Sequence, residues 1–338
     1  MTNRLDESSN NFTLLRLLLA LMVVIGHFKL LSGTAYPTFP FNLADAAVDC
    51  FFVVSGFLIA GSYERCHGLW SFYVRRVFRL YPMYLCVVVF QAAIMLALLP
   101  GGPFSEPRST LNYLAANMLL ANFLQYDIGG VLAGLHNPGI NPSLWTLKIE
   151  IGFYLIVPLI YGMTRRWGWP TLAVIFVASV AYSIVTLRMG DIRLARQLPG
   201  QLQFFAVGMA LYLYGERIRV HPLVSVAITV GFLAMWSMVE PIPPGIRPLV
   251  VAAFVFSFAL CTPVVGLRSD MSYSVYLVHG PLVQTLILIG VFQDNLWFLI
   301  GIVCTVLCIS FVTERSSSDL ATPWATVSRG GCVIAPTW

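Results

Sequence analysis

Charged residues are scarce in this chain: Asp, Glu, Lys and Arg make up 10% of 338 residues, against 58% that are hydrophobic. No polar stretch is long enough for a separate soluble domain, and a mean hydropathy of +0.80 excludes an ordinary water-soluble fold. The seven cysteines show no CxxC or Cys/His spacing. That argues against a disulfide framework or a metal site and leaves buried small side chains as their reading. No repeat of fixed period and no matched pair of broken helices stands out, which weighs against a transporter built on inverted repeats. A removed signal peptide is not expected either, because Asp6 and Glu7 precede a first apolar run that retains Arg16 and lacks a small-residue cleavage pattern.

What the chain has instead is apolar segments from end to end. A hydrocarbon core of about 30 Å takes about 20 helical residues. Ten such spans can be marked, at 12–32, 46–62, 79–99, 145–163, 170–188, 200–215, 222–240, 248–265, 272–290 and 297–314. The expected fold is an all-α integral membrane protein, a bundle of about ten transmembrane helices forming one domain over residues 1–315. Residues 111–125 are apolar but short and interrupted by Asn and Gln, which suits an interfacial or re-entrant segment better than a span. From Ser316 onward the chain is rich in Ser, Thr, Gly and Pro and reads as a disordered cytoplasmic tail over 316–338.

The net charge of +5 would suggest nucleic acid in a soluble protein; in a membrane protein its placement matters more, and no nucleic-acid partner is expected. Ten spans and a cytoplasmic N-terminus put Arg4, Arg65, Arg75, Arg76, Arg79, Arg165, Arg166, Arg217, Arg219, Arg268, Arg315 and Arg329 inside. The opposite side receives Arg108, Arg188, Arg193, Arg196 and Arg247, with Lys29 and Lys148 near the outer ends of spans. The excess fixes the orientation, with both termini cytoplasmic, although the 188–196 cluster runs against it.

Two ionisable residues, Arg16 and His27, lie inside the first span, where the bilayer penalises them and a functional reason is expected. Eleven residues is about three turns, so a helix puts both on one face, about 16 Å apart. His27 can take a proton from a hydroxyl at neutral pH. Asp49, at the outer end of the second span, shares its depth and can orient an imidazole; an N-terminal helix cap is the bland alternative. For the neighbouring Ser55–Gly56, close helix packing is favoured. Arg76 and Arg79 share a helical face just before the third span, where guanidinium forks can hold a phosphorylated ligand or simply anchor the boundary. Glu150 enters the fourth span two residues after Lys148 and needs a partner at that depth, catalytic or structural. Ser272, Tyr276 and His279 fall on roughly one face of the ninth span and read as cavity lining.

Together these strings resemble the acyltransferase-3 family of bacterial membrane O-acyltransferases, which modify surface glycans, nodulation factors and some antibiotics. Arg16 and His27 match its Arg-x10-His pair. Val48 to Leu58 resembles its Val-Asp-x-Phe-Phe-x-x-Ser-Gly-Phe-Leu string, and Arg76 and Arg79 match its Arg-x-x-Arg before Leu-Tyr-Pro. Ser143 to Glu150 is similar to its Leu-Trp-Ser-Leu-x-x-Glu segment, with Thr146 where Ser is usual, and Ser272 to Pro281 resembles its Ser-Tyr-Ser-x-Tyr-Leu-x-His-x-Pro string. The likeness covers about residues 10 to 315. Two departures stand out: no SGNH-type esterase domain is appended, and a Pro-Phe continuation is missing after Glu314–Arg315.

The resemblance implies transfer of an acyl group, usually acetyl from cytoplasmic acetyl-CoA, to a hydroxyl of a surface carbohydrate or glycolipid, by a protein of the bacterial inner membrane. On that reading Arg16, Arg76 and Arg79 bind the donor and His27, Asp49 and Glu150 carry the chemistry, His27 as base or acyl carrier, without a metal. Membrane lipid and the carbohydrate acceptor are the expected partners, with homo-oligomerisation left open. The rival is a transporter or flippase of a glycan or lipid-linked intermediate, with Arg16, His27 and Glu150 lining its path.

Overall fold

A computed structural model of the chain describes residues 10–321 apart from 37, 67, 219, 239–241 and 268. Arg4, Arg219, Arg268, Arg329, Cys332 and the tail from 322 lie outside the described residues. The described part is helical without strands. Its longer helices are α1 (Phe12–Ser32), α2 (Leu43–Glu64), α3 (Leu69–Ala97), α4 (Pro107–Met118), α5 (Trp145–Trp167), α6 (Pro170–Arg188), α7 (Leu198–Tyr214), α8 (Pro222–Met238), α9 (Ile246–Cys261), α10 (Ser272–Leu288) and α11 (Leu296–Ala321).

Each of the ten expected spans coincides with one of these helices. Six of them, α1, α2, α3, α5, α6 and α11, are long and apolar enough to cross a bilayer by length and composition. The other four have 16 or 17 residues. Two boundaries differ from expectation. Helix α3 starts ten residues earlier than the apolar run, so Arg75, Arg76 and Arg79 lie inside its first turns rather than ahead of it. The aromatic and apolar residues Trp70, Phe72, Tyr73 and Val74 ahead of the arginines sustain the helix there. Helix α11 likewise continues to Ala321, past the expected start of the tail.

The first part of the segment expected to be interfacial or re-entrant, residues 111–118, lies in α4, whose 12 residues are about 18 Å long, too short to cross. Its polar side chains explain themselves by packing back on α3. Tyr84 and Tyr81 donate to the carbonyls of Asn117 and Met118, Tyr113 donates to Gln91, and Asn117 ties the end of the helix to Gln125.

Helix α2 is the central element, touching α1, α5, α7 and α9. It crosses α7 at a glycine on each side. A Cβ on Gly56 would stand 2.2 Å from the carbonyl oxygen of Phe205, and one on Gly208 would stand 2.0 Å from that of Val53. Neither position tolerates any side chain, which is the close-packing role expected for Gly56. At one end of the bundle, Asp45 and Asp49, one turn apart on α2, meet Arg196 and Arg247 at 3.0 and 2.5 Å. These two guanidiniums also lie over the rings of Trp145 and Trp236. That pairing gives a physical reason for arginines on the expected outer side: their carboxylate partners are built into α2.

Of the cysteines, Cys50 is buried as expected. Cys86, Cys304 and Cys308 instead face outward from their helices, and all six described are unbonded thiols. Their outward faces are apolar helix surface, where a small thiol is as acceptable as it is in a core.

Candidate functional site

Helix α1 places Arg16 and His27 on the face that packs against α10. Asp270 lies in the connection just ahead of α10, which begins at Ser272 and carries Tyr276 and His279 farther along, so two polar contacts form at different depths. At the first, Arg16 forms a buried ion pair with Asp270, whose other oxygen accepts hydrogen bonds from the Ser272 backbone N–H at 3.1 Å and its hydroxyl at 2.5 Å. Arg16 is therefore charge-compensated, as burial demands. At the second, His27 Nδ1 lies 2.8 Å from His279 Nε2. Ser143 Oγ stands 3.4 Å from each of these nitrogens.

The segment before α5 is held in place by Asn141. Its amide donates to the Leu277 carbonyl at 2.9 Å and its oxygen accepts from the Ser143 backbone N–H. Gly280 makes room for this, since a Cβ there would stand 2.9 Å from the Asn141 oxygen. Thr146 donates to the Ser143 carbonyl and lies 2.8 Å from the Tyr276 hydroxyl. A connected polar chain thus runs from Tyr276 through Thr146 and Ser143 to the two imidazoles.

Between the two levels lies a cavity with about 710 Å³ of empty space, part of it open to the outside. Arg16, Arg79, Ser55, Glu150, Thr146 and Tyr276 line it together with apolar side chains of α2 and α3. Its mainly apolar wall with a few convergent polar groups suits a ligand site. Arg79 is within electrostatic reach of Arg16, Arg76 and Asp270. Arg76 is buried behind the wall, bonded to Ser62 and stacked on Phe72 and Tyr154, with its Nε lacking a partner. Glu150 accepts a hydrogen bond from Tyr154, one turn along α5. Lys148 does not pair with it, lying over the Phe123 ring instead.

A family model described as an acyltransferase domain, the acyltransferase-3 model, matches residues 9–315. The chain belongs to the acyltransferase-3 family. It is a multi-pass membrane O-acyltransferase. It is 29% identical over 315 residues to Nodulation protein 10 of Rhizobium leguminosarum bv. viciae, covering 83% of this chain and 84% of the relative. It is 28% identical over 301 residues to "O-acetyl transferase" of Shigella phage Sf6, covering 83% of this chain and 86% of the relative. The exopolysaccharide production protein ExoZ of Rhizobium meliloti is 27% identical, over 71% of this chain and 76% of its own. No solved structure matches the chain.

Within this acyltransferase-3 chain the residues singled out from sequence converge unevenly. Arg16, Arg79 and Glu150 share the cavity, with Arg76 directly behind it. His27 sits beyond its Tyr276–Thr146 end. Asp49 is elsewhere engaged: its carboxylate is tied to Arg247, and no hydrogen bond or ion pair links it to His27. Equal depth does not imply a shared face, and the Asp49 carboxylate meets Arg247 of α9. The partner of His27 is His279, whose place on the Ser272–Tyr276–His279 face was legible although its contact was not. Asp270 and Asn141 were missed, since a carboxylate or amide in a short connection carries no periodic signal.

Proposed function

We propose that the protein takes an acyl group, in the first instance acetyl, from cytoplasmic acyl-CoA and esterifies a hydroxyl of a surface carbohydrate or glycolipid, with all ten long helices crossing the membrane. One observation carries this reading: a single cavity has two guanidiniums, Arg16 and Arg79, at its wall and a polar chain leading from Tyr276 to His27. Arginine forks suit the phosphates of CoA, with Arg76 as a buried reserve of positive charge behind Arg79. The apolar part of the cavity suits the pantetheine arm and the acyl thioester. CoA itself is too highly charged to cross hydrocarbon, so bringing only the thioester to the depth of His27 solves the transfer across the bilayer.

His27 then acts as general base on the acceptor hydroxyl. Glu150, held by Tyr154, shares the cavity wall with Arg16 and Arg79. The pair of Asp49 and Arg247 supports the bundle beside the site rather than the base itself. The names of relatives, O-acetyl transferase and exopolysaccharide production protein, support a carbohydrate hydroxyl as acceptor.

The test uses cells lacking the gene, complemented with wild type or His27→Ala. Mass analysis of surface glycans and glycolipids should show one added acyl group with wild type only, at equal membrane levels of the two proteins. Acyl transfer by His27→Ala would overturn the assignment. Transport of a glycan precursor in the absence of acyl-CoA would replace it with the transporter reading.

A further inference from the structure

The two imidazoles fix each other's tautomer. His279 Nδ1 lies 3.0 Å from the backbone carbonyl oxygen of Val275, one turn earlier on α10. A carbonyl oxygen only accepts, so His279 Nδ1 carries a hydrogen. The ring is fully buried, and its hydrogen-bond partners are His27, Ser143 and the backbone carbonyls of Val275 and Tyr276, none of them a carboxylate. A cationic ring there would be a buried charge without a counter-ion, so His279 is neutral and its Nε2 is bare. That bare nitrogen faces His27 Nδ1 at 2.8 Å. Two lone pairs do not approach so closely; His27 Nδ1 must therefore hold the hydrogen and donate it. No carboxylate is among the partners of His27 either, so its ring is neutral too, and what remains is an unprotonated Nε2 on a residue that is only partly buried.

We propose that His279 is a positioning residue for acyl transfer, a neutral imidazole that takes the orienting role a carboxylate has in a catalytic triad, and that His27 reacts through Nε2. The inference rests on the reading of His27 as the base. In the step, Nε2 removes the proton of the acceptor hydroxyl as its oxygen attacks the thioester carbonyl. A C–O bond forms, the C–S bond breaks, and the same proton passes from Nε2 to the departing thiolate. The products are the ester and the free thiol. His27 Nδ1–H stays on His279 throughout, so the ring keeps one orientation for both proton transfers. A neutral orienting group also adds no negative charge beside the oxyanion that develops on the thioester carbonyl.

Sealed inside the bundle, His279 does not touch substrate, so its effect is on the tautomer and aim of His27. The direct test is nitrogen NMR of ¹⁵N-histidine-labelled full-length protein in lipid nanodiscs, with signals assigned through His27→Asn and His279→Asn. The expected result is a protonated Nδ1 and an unprotonated Nε2 at both residues. A protonated Nε2 on His27 overturns the proposal.

The second arm is kinetic. His279→Gln keeps an acceptor near the Nε2 position and should retain activity within about tenfold, whereas His279→Leu should lose about 100-fold or more in kcat with an unchanged KM for acetyl-CoA. Equal turnover by the two variants overturns the proposal. If His279→Leu does not accumulate in the membrane, the tautomer measured in the wild type decides. Activity in His27→Ala would defeat the parent reading, whereas an inactive His27→Ala with a fully active His279→Leu defeats this inference alone.

Discussion

Arg247 reaches across from α9 to Asp49 on α2, its Nε 2.5 Å from the carboxylate, and lies over the Trp236 ring as it does so. The carboxylate is buried and the guanidinium partly exposed, so the pair joins two helices of the bundle at the end where His27 lies. Removing one partner leaves the other desolvated. Asp49→Ala should therefore lower stability by about 1–3 kcal/mol. Asp49→Ala combined with Arg247→Ala should recover part of that loss. Thermal unfolding in detergent across the four-member cycle checks it; strictly additive single losses would show that the two residues do not interact.

The glycine crossing of α2 and α7 makes a sterically simple prediction. Gly56→Ala adds a methyl group 2.2 Å from the Phe205 carbonyl oxygen, and backbone cannot give way as a flexible side chain can. The helices must separate, at a cost of about 1–3 kcal/mol or more. Gly162→Ala on α5 is the control, since nothing lies within 4 Å of the new methyl group. Folded yield and unfolding temperature should fall for the first and hold or rise for the second.

These two contacts also show what could be read before the structure. The positions of the ten long helices follow from apolar run length, and the role of Gly56 from the small-residue logic of helix contacts. Which faces meet does not follow. Asp49 and His27 share a depth, but a helix of 3.6 residues per turn aims each residue about 100° from the last, and depth carries no azimuth. The same limit left the His27–His279 contact unseen, although both residues were recognisable as costly polar groups within apolar runs. Asp270 stayed hidden for another reason: it belongs to a connection, where carboxylates are ordinary, and only the fold brings it against Arg16.

At the cavity wall, Arg79 and Arg16 are proposed to meet the donor while Arg76 is occupied with Ser62 and two aromatic rings. Arg79→Gln should then raise the KM for acetyl-CoA by about ten- to a hundredfold, the scale of one or two lost charge-assisted hydrogen bonds, with a smaller change in kcat. Binding of acetyl-CoA to purified protein by calorimetry gives the same readout without turnover. An unchanged affinity would remove Arg79 from the donor site.

Thr146 stands where the family string has Ser, and its hydrogen bonds say what the hydroxyl does. Its oxygen lies 2.9 Å from the Ser143 carbonyl oxygen and 2.8 Å from the Tyr276 hydroxyl, which itself lies 3.4 Å from that carbonyl. The threonine hydroxyl thus bridges α10 and the Ser143 segment. Thr146→Ser preserves both bonds and should leave the unfolding temperature nearly unchanged. Thr146→Val fills the same space but removes both, leaving the Tyr276 hydroxyl and the Ser143 carbonyl without that partner, for a loss of about 1–3 kcal/mol. Because Ser143 touches both imidazoles, the Val variant should also disturb the histidine ¹⁵N signals where the Ser variant does not. Indistinguishable spectra and unfolding temperatures for the two variants would mean that this hydroxyl does not hold the Ser143 segment against the histidine pair.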